Sequence, residues 1–150
     1  MKPDRTEDLT MSDSLEFRYK IIPGDFKRAG EASTDVKKKL KTMGMPPEIV
    51  RRTAIAIYEG EINMVIHADG GEITVTVSDD AVRMVLADQG PGIPDVEKAM
   101  QAGFSTAAEE VRNLGFGAGM GLPNMKKYTD ELSIETEKDV GTTVYMTVNL

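Results

Sequence analysis

Two pairs of strand-patterned runs, each closed by a turn of two or three residues, constrain this chain more than any other feature. Residues 72–78 and 82–87 flank Asp79-Asp80, and residues 131–137 and 142–150 flank Asp139-Val140-Gly141. A connection that short joins antiparallel neighbours, because a parallel crossover needs roughly a dozen residues or more. The sheet is therefore expected to be antiparallel or mixed. A further run over residues 14–22 alternates Leu15, Phe17, Tyr19 and Ile21 with Glu16, Arg18 and Lys20, the period of a half-buried strand, and Pro23-Gly24 ends it.

Helical periodicity separates these strands. Asp25 is the expected N-cap of a helix over residues 26–43, with Phe26, Ala29, Val36, Leu40 and Met43 on one face and Gly44 as its stop. Lys37, Lys38, Lys39 and Lys41 read as its solvated side. Pro46-Pro47 opens a long helix to about residue 68, with Val50, Ala54, Ile57 and Val65 as a buried stripe widened by Ile55, Ile62 and Ile66. A short helix is expected over residues 94–101, a long glycine-rich loop over 102–121 and a helix over 122–129. The order β-α-α-β-β-α-loop-α-β-β implies an α+β two-layer sandwich, its sheet mixed and mostly antiparallel with helices on one face. Residues 1–13 read as a frayed, disordered lead-in, and residues 14–150 as a single domain.

Composition narrows the function classes. The chain has 150 residues, enough for one full core. Its 18 basic and 25 acidic residues give a net charge of −7, which argues against a nucleic-acid partner but not against a nucleotide carried with Mg²⁺. The acid is uneven: residues 1–50 hold 10 basic and 9 acidic side chains, residues 51–150 hold 8 and 16. With no cysteine, disulfides and thiolate chemistry are excluded, and the lone His67 excludes a multi-histidine metal site. No apolar run approaches the ~20 residues of a membrane span. A soluble, cytoplasmic protein is the expectation.

Four segments carry chemical potential. Glu59 and Asn63 lie four apart in the long helix, so a carboxylate and an amide share one face, suited to activating a hydroxyl and ligating a hard cation. Glu61 points away from that face and reads as solvated, while Gly60 is costly in a helix and implies close packing or ligand approach. Asp88-Gln89-Gly90-Pro91-Gly92 follows a strand; its Asp can accept from an exocyclic amine while the glycines admit a flat ligand. Gly115-Phe116-Gly117-Ala118-Gly119-Met120-Gly121-Leu122 precedes a helix, and its free amides suit phosphates. Gly141-Thr142-Thr143 enters the last strand, where a hydroxyl can meet Asp88 or a water. Taken singly, these segments also fit surface polar residues, an Asx turn, a flexible linker and a β-turn.

In this order the four segments resemble the four nucleotide-binding boxes of the GHKL ATP-binding fold, shared by gyrase, MutL and histidine kinases, with the match running over residues 46–150. Within it the chain is most similar to the small serine kinases of bacterial partner-switching systems, the anti-sigma factors and the stressosome switch kinase. The stretches Asp88–Asp95, Gly103-Phe104-Ser105-Thr106-Ala107, Gly119–Leu122 and Gly141–Val144 resemble the switch-kinase type most, with Ala107 where anti-sigma members often carry Lys. The resemblance implies an ATP- and Mg²⁺-dependent serine/threonine protein kinase acting on a STAS-domain antagonist. The alternative is an anti-sigma factor or nucleotide-gated module that sequesters a sigma factor or other regulator. A homodimer is compatible with either. It implies Glu59 as general base and Asn63 as the Mg²⁺ ligand. Asp88 would bind the adenine amine, with Gly90, Gly92 and Thr142 around the ring. Gly117, Gly119, Gly121 and Leu122 would form the phosphate cradle, and Ser105 and Thr106 would lie in the ATP lid.

Overall fold

Period-two alternation becomes a five-stranded sheet in the computed structural model, which describes residues 14–67, 71–90, 96, 100 and 121–150, His67 by its backbone alone. The strands are β1 (Leu15–Ile21), β2 (Gly71–Val77), β3 (Ala81–Asp88), β4 (Glu131–Glu137) and β5 (Gly141–Asn149). Their order is β1-β2-β3-β5-β4, and every pair is antiparallel. The β2–β3 hairpin closes on Asp79-Asp80, with Ser78 N–H donating to Ala81 C=O at 3.0 Å. Asp139 takes a φ of 62° in the β4–β5 turn, a conformation Asp tolerates better than most residues.

One face of the sheet is apolar. Ile73, Val75, Val77, Val82, Met84, Leu86, Val144, Met146 and Val148 are all buried there. The helices α1 (Glu31–Thr42), α2 (Pro47–His67) and α3 (Gly121–Tyr128) complete the core through Val36, Leu40, Val50, Ala56, Ile57, Val65, Leu122 and Met125. Among the described residues no helix is long and apolar enough to cross a membrane.

Helix α1 starts later than its periodicity suggests. Residues 23–30 form successive turns, closed by bonds such as Asp25 N–H to Ile22 C=O and Arg28 N–H to Asp25 C=O, both 3.3 Å. Gly30 has a φ of 100°, a left-handed conformation that no α-helix continues through, so the helix begins at Glu31 and Asp25 does not cap it. Of the four lysines read as solvated, Lys39 is tied down: its Nζ donates to Asp35 at 2.6 Å and sits 4.7 Å from the centre of the Phe17 ring. The lead-in 1–13, the loop 102–120 and most of the helix expected over 94–101 lie outside the described residues; from that last stretch, Met100 N–H donates to Val96 C=O at 3.0 Å.

Candidate functional site

β3 is the middle strand, and Asp88 is its last residue. The register sets Gly71 of β2 opposite it on one side, and the start of β5 on the other. Both neighbours must be glycine. A Cβ at Gly71 would meet the Ala87 carbonyl at 2.7 Å, and one at Gly141 would run into the Asp88 carbonyl. Asp88 Oδ1 accepts two backbone N–H groups, Gly90 at 2.9 Å and Thr142 at 3.1 Å. Oδ2 has no hydrogen-bond partner among the described residues, so the carboxylate is oriented by one oxygen and open at the other. Thr142 reaches Asp88 by its amide, not its hydroxyl as the sequence suggested. The side chain, only 6% exposed, pairs with Thr136 Oγ1 at 3.0 Å because the register sets Thr136 of β4 directly opposite it.

The second half of the site is the contact between α2 and α3. Arg52, Glu59 and Asn63 recur at spacings of seven and four, so they lie along one face of α2. Gly121, Asn124 and Tyr128 answer them along α3 in the reverse order. Asn63 lies so close to Gly121 that a Cβ there would meet its amide nitrogen at 2.9 Å and its oxygen at 3.0 Å. Asn124 Nδ2 donates to Glu59 Oε2 at 3.0 Å. Arg52 Nε donates to the Tyr128 carbonyl at 3.0 Å, while its Nη2 is 3.1 Å from Asp130 Oδ2. A cation on the last carbonyl of α3 also suits the negative end of that helix. Burial pushes the Glu59 carboxyl above the ordinary glutamate range, and the Asn124 amide acts against it. Asn124 and Arg52 were not singled out from sequence; their spacings from Gly121 and from Glu59 are the signals that pick them out.

Gly60 serves packing. A Cβ there would collide with Leu86 and come within 3.4 Å of the Met125 sulfur, so the missing side chain lets α2 lie against both the sheet and α3. Glu61 overturns its sequence reading. It is 2% exposed and accepts the N–H groups of Ala32 at 3.1 Å and Ser33 at 3.3 Å. Gly30 offers α1 no side-chain cap, so this carboxylate from α2 serves as the cap. Burial raises its pKa too, opposed by the amides of Ala32, Ser33 and Gly30.

The structure thus brings together Glu59, Asn63, Gly121 and Leu122 at the α2–α3 contact, and Asp88, Gly90 and Thr142 at the strand ends. Met64, next to Asn63, links the two halves, since its methyl lies where a Cβ at Gly71 would fall. Gly92, Ser105, Thr106, Gly117 and Gly119 lie outside the described residues.

The family model for the histidine kinase-like ATPase domain matches residues 22–148. An anti-sigma F factor from Geobacillus stearothermophilus is 34% identical over 116 residues, 77% of this chain and 71% of that protein. The serine/threonine-protein kinase RsbT of Bacillus subtilis is 33% identical over 108 residues, 69% of this chain and 75% of the kinase. The fold also matches the solved RsbU and RsbW domains of a Mycobacterium tuberculosis protein, with a TM-score of 0.59 at 18% identity over 90% of this chain. This chain covers 32% of that longer one. The antiparallel sheet with its helices on one face, the ordered segments and these likenesses agree: the chain belongs to the histidine kinase-like ATPase family, among its anti-sigma factors and serine/threonine-protein kinases.

Proposed function

We propose that this chain transfers the terminal phosphoryl group of ATP to a serine or threonine of a STAS-domain antagonist protein. The observation that carries this reading is the shared α2 face, where a half-buried carboxylate and an amide four residues apart both meet the first turn of α3. Kinship to a named serine/threonine-protein kinase supports it.

The residues fit the groups such a reaction needs. The open Oδ2 of Asp88 suits the amine of an adenine ring. Asn63 offers one neutral oxygen at the start of α3, and no cluster of three His, Asp or Glu capable of holding a metal occurs among the described residues. That donor set suits Mg²⁺ arriving with its phosphates and waters rather than a metal caged by protein. Mg-ATP when bound supplies the phosphoryl group and the neutralising charge. Glu59 Oε1, which has no hydrogen-bond partner among the described residues, accepts the proton of the attacking hydroxyl, while Oε2 stays on Asn124. The N-terminal end of α3 suits phosphate charge, because the first amides of a helix have no acceptor within it. Gly92, Ser105, Thr106, Gly117 and Gly119 keep the roles that the resemblance implies.

Incubation with labelled ATP and a STAS-domain protein from the same genome tests the reading. Phosphoserine or phosphothreonine on the partner is expected, and Asp88→Asn weakens ATP binding. Intact ATP binding without transfer would instead favour the second reading, that the chain mainly sequesters a sigma factor. Its likeness to an anti-sigma F factor favours that alternative.

A further inference from the structure

We propose that Asn124 is a positioning residue for Glu59, fixing the carboxylate through Oε2 and tying it to the helix that follows the glycine-rich segment. This rests on the reading of Glu59 as the base. Three observations carry it. Asn124 Nδ2 lies 3.0 Å from Glu59 Oε2, across 65 residues of sequence. Asn124 stands one helical turn after Gly121, whose backbone abuts Asn63, so the same turn of α3 touches both members of the α2 pair. The far end of α3 is locked independently: Arg52 holds the Tyr128 carbonyl and Asp130, and Asp130 Oδ2 accepts Asn149 N–H at 2.7 Å. With that end held, a change at the first turn reaches Glu59 through Asn124 rather than dissipating along the helix.

The chemistry of the pair is specific. A carboxylate with one oxygen on a fixed amide has its rotation about the last bond restricted, so the other oxygen faces a constant direction. The amide also favours the ionised form, against the burial that disfavours it. Among the described residues no charged group contributes to that balance, and the Asn124 amide is what acts against burial there.

The test uses the full chain with Mg-ATP and the STAS-domain protein, in four forms: wild type, Asn124→Leu, Asn124→Gln and Glu59→Gln. The Asn124→Leu change removes the donor at similar volume, and Asn124→Ala replaces it if the leucine form does not fold. The expected result is a fall in kcat of roughly ten-fold with KM for ATP within about two-fold, since the residue orients the base without binding nucleotide. The carboxyl carbon of Glu59, followed by NMR titration without nucleotide, shifts its midpoint to higher pH. Asn124→Gln restores part of both. A wild-type kcat and an unmoved titration in the leucine or alanine form overturn the proposal. Full activity in Glu59→Gln overturns the reading beneath it, and the NMR midpoint, which needs no turnover, separates the two failures.

Discussion

Glu59 and Glu61 are two residues apart on one helix, yet they belong to different regions of the molecule. At ~100° per residue the two side chains diverge by about 200° around the axis, so one faces α3 and the other faces α1. Burial raises the pKa of both. What differs is the partner. Glu59 is half-buried and held by one side-chain amide, its other oxygen without a hydrogen-bond partner among the described residues. Glu61 is almost fully buried, and each of its oxygens accepts a backbone N–H. A buried carboxylate with a free oxygen keeps reactivity; one whose oxygens are both taken up by a helix end supplies stability.

The sharpest way to break that contrast is to remove the two charges separately. Glu59→Gln is expected to lower phosphoryl transfer by ~10²–10⁴-fold, the usual worth of a general base, with stability changed by less than about 1 kcal/mol. Glu61→Ala is expected to do the reverse, costing about 2–4 kcal/mol in urea unfolding because the first amides of α1 lose their acceptor inside the protein. Its folded fraction should retain ATP binding. A Glu61→Ala chain as stable as wild type would show that Gly30 and the dipole of α1 need no carboxylate.

A smaller effect lies in pH. Because the folded pKa of Glu61 is raised, the folded state holds its proton more tightly than the unfolded state. Glu61 therefore favours folding most below the ordinary glutamate pKa, and that contribution is lost as pH rises through the raised value. Glu61→Gln removes this term. The stability of the variant relative to wild type should rise with pH from about pH 4 toward neutrality, measured as paired urea midpoints. A flat difference would mean that the amides of α1 cancel the burial penalty.

The smallest test concerns Thr53, on the same helix, whose hydroxyl is buried without a hydrogen-bond partner among the described residues. Thr53→Val keeps the shape and removes the unsatisfied group. A gain of about 1 kcal/mol is expected from thermal or urea unfolding. It extends the comparison from two buried polar groups with partners to a third without one.

Much of the architecture was legible because it is local. Alternation in Ile73, Val75 and Val77 against Thr74 and Thr76 needs no knowledge of the neighbouring strand, and Asp79-Asp80 marks its own turn. The Glu59–Asn63 spacing likewise places both on one helix face without reference to α3. Glu61 was misread because periodicity says only that it points away from Glu59; it cannot say that α1 covers that side. The start of α1 failed for the same reason, since its cap comes from a residue 28 or 29 positions along the chain. Asn124 carries no mark in sequence beyond its place one turn after Gly121.

By itself, then, the sequence determined the antiparallel hairpins, the helix faces and the order of the four candidate site segments, all products of spacing within a few residues. Only the tertiary structure decided which carboxylate caps a helix and which keeps one oxygen without a partner among the described residues. It also decided that Thr142 meets Asp88 by its amide, and that Asn124 meets Glu59. Each of these depends on which element packs against which face, and that is set by burial of the whole core rather than by any short run of residues.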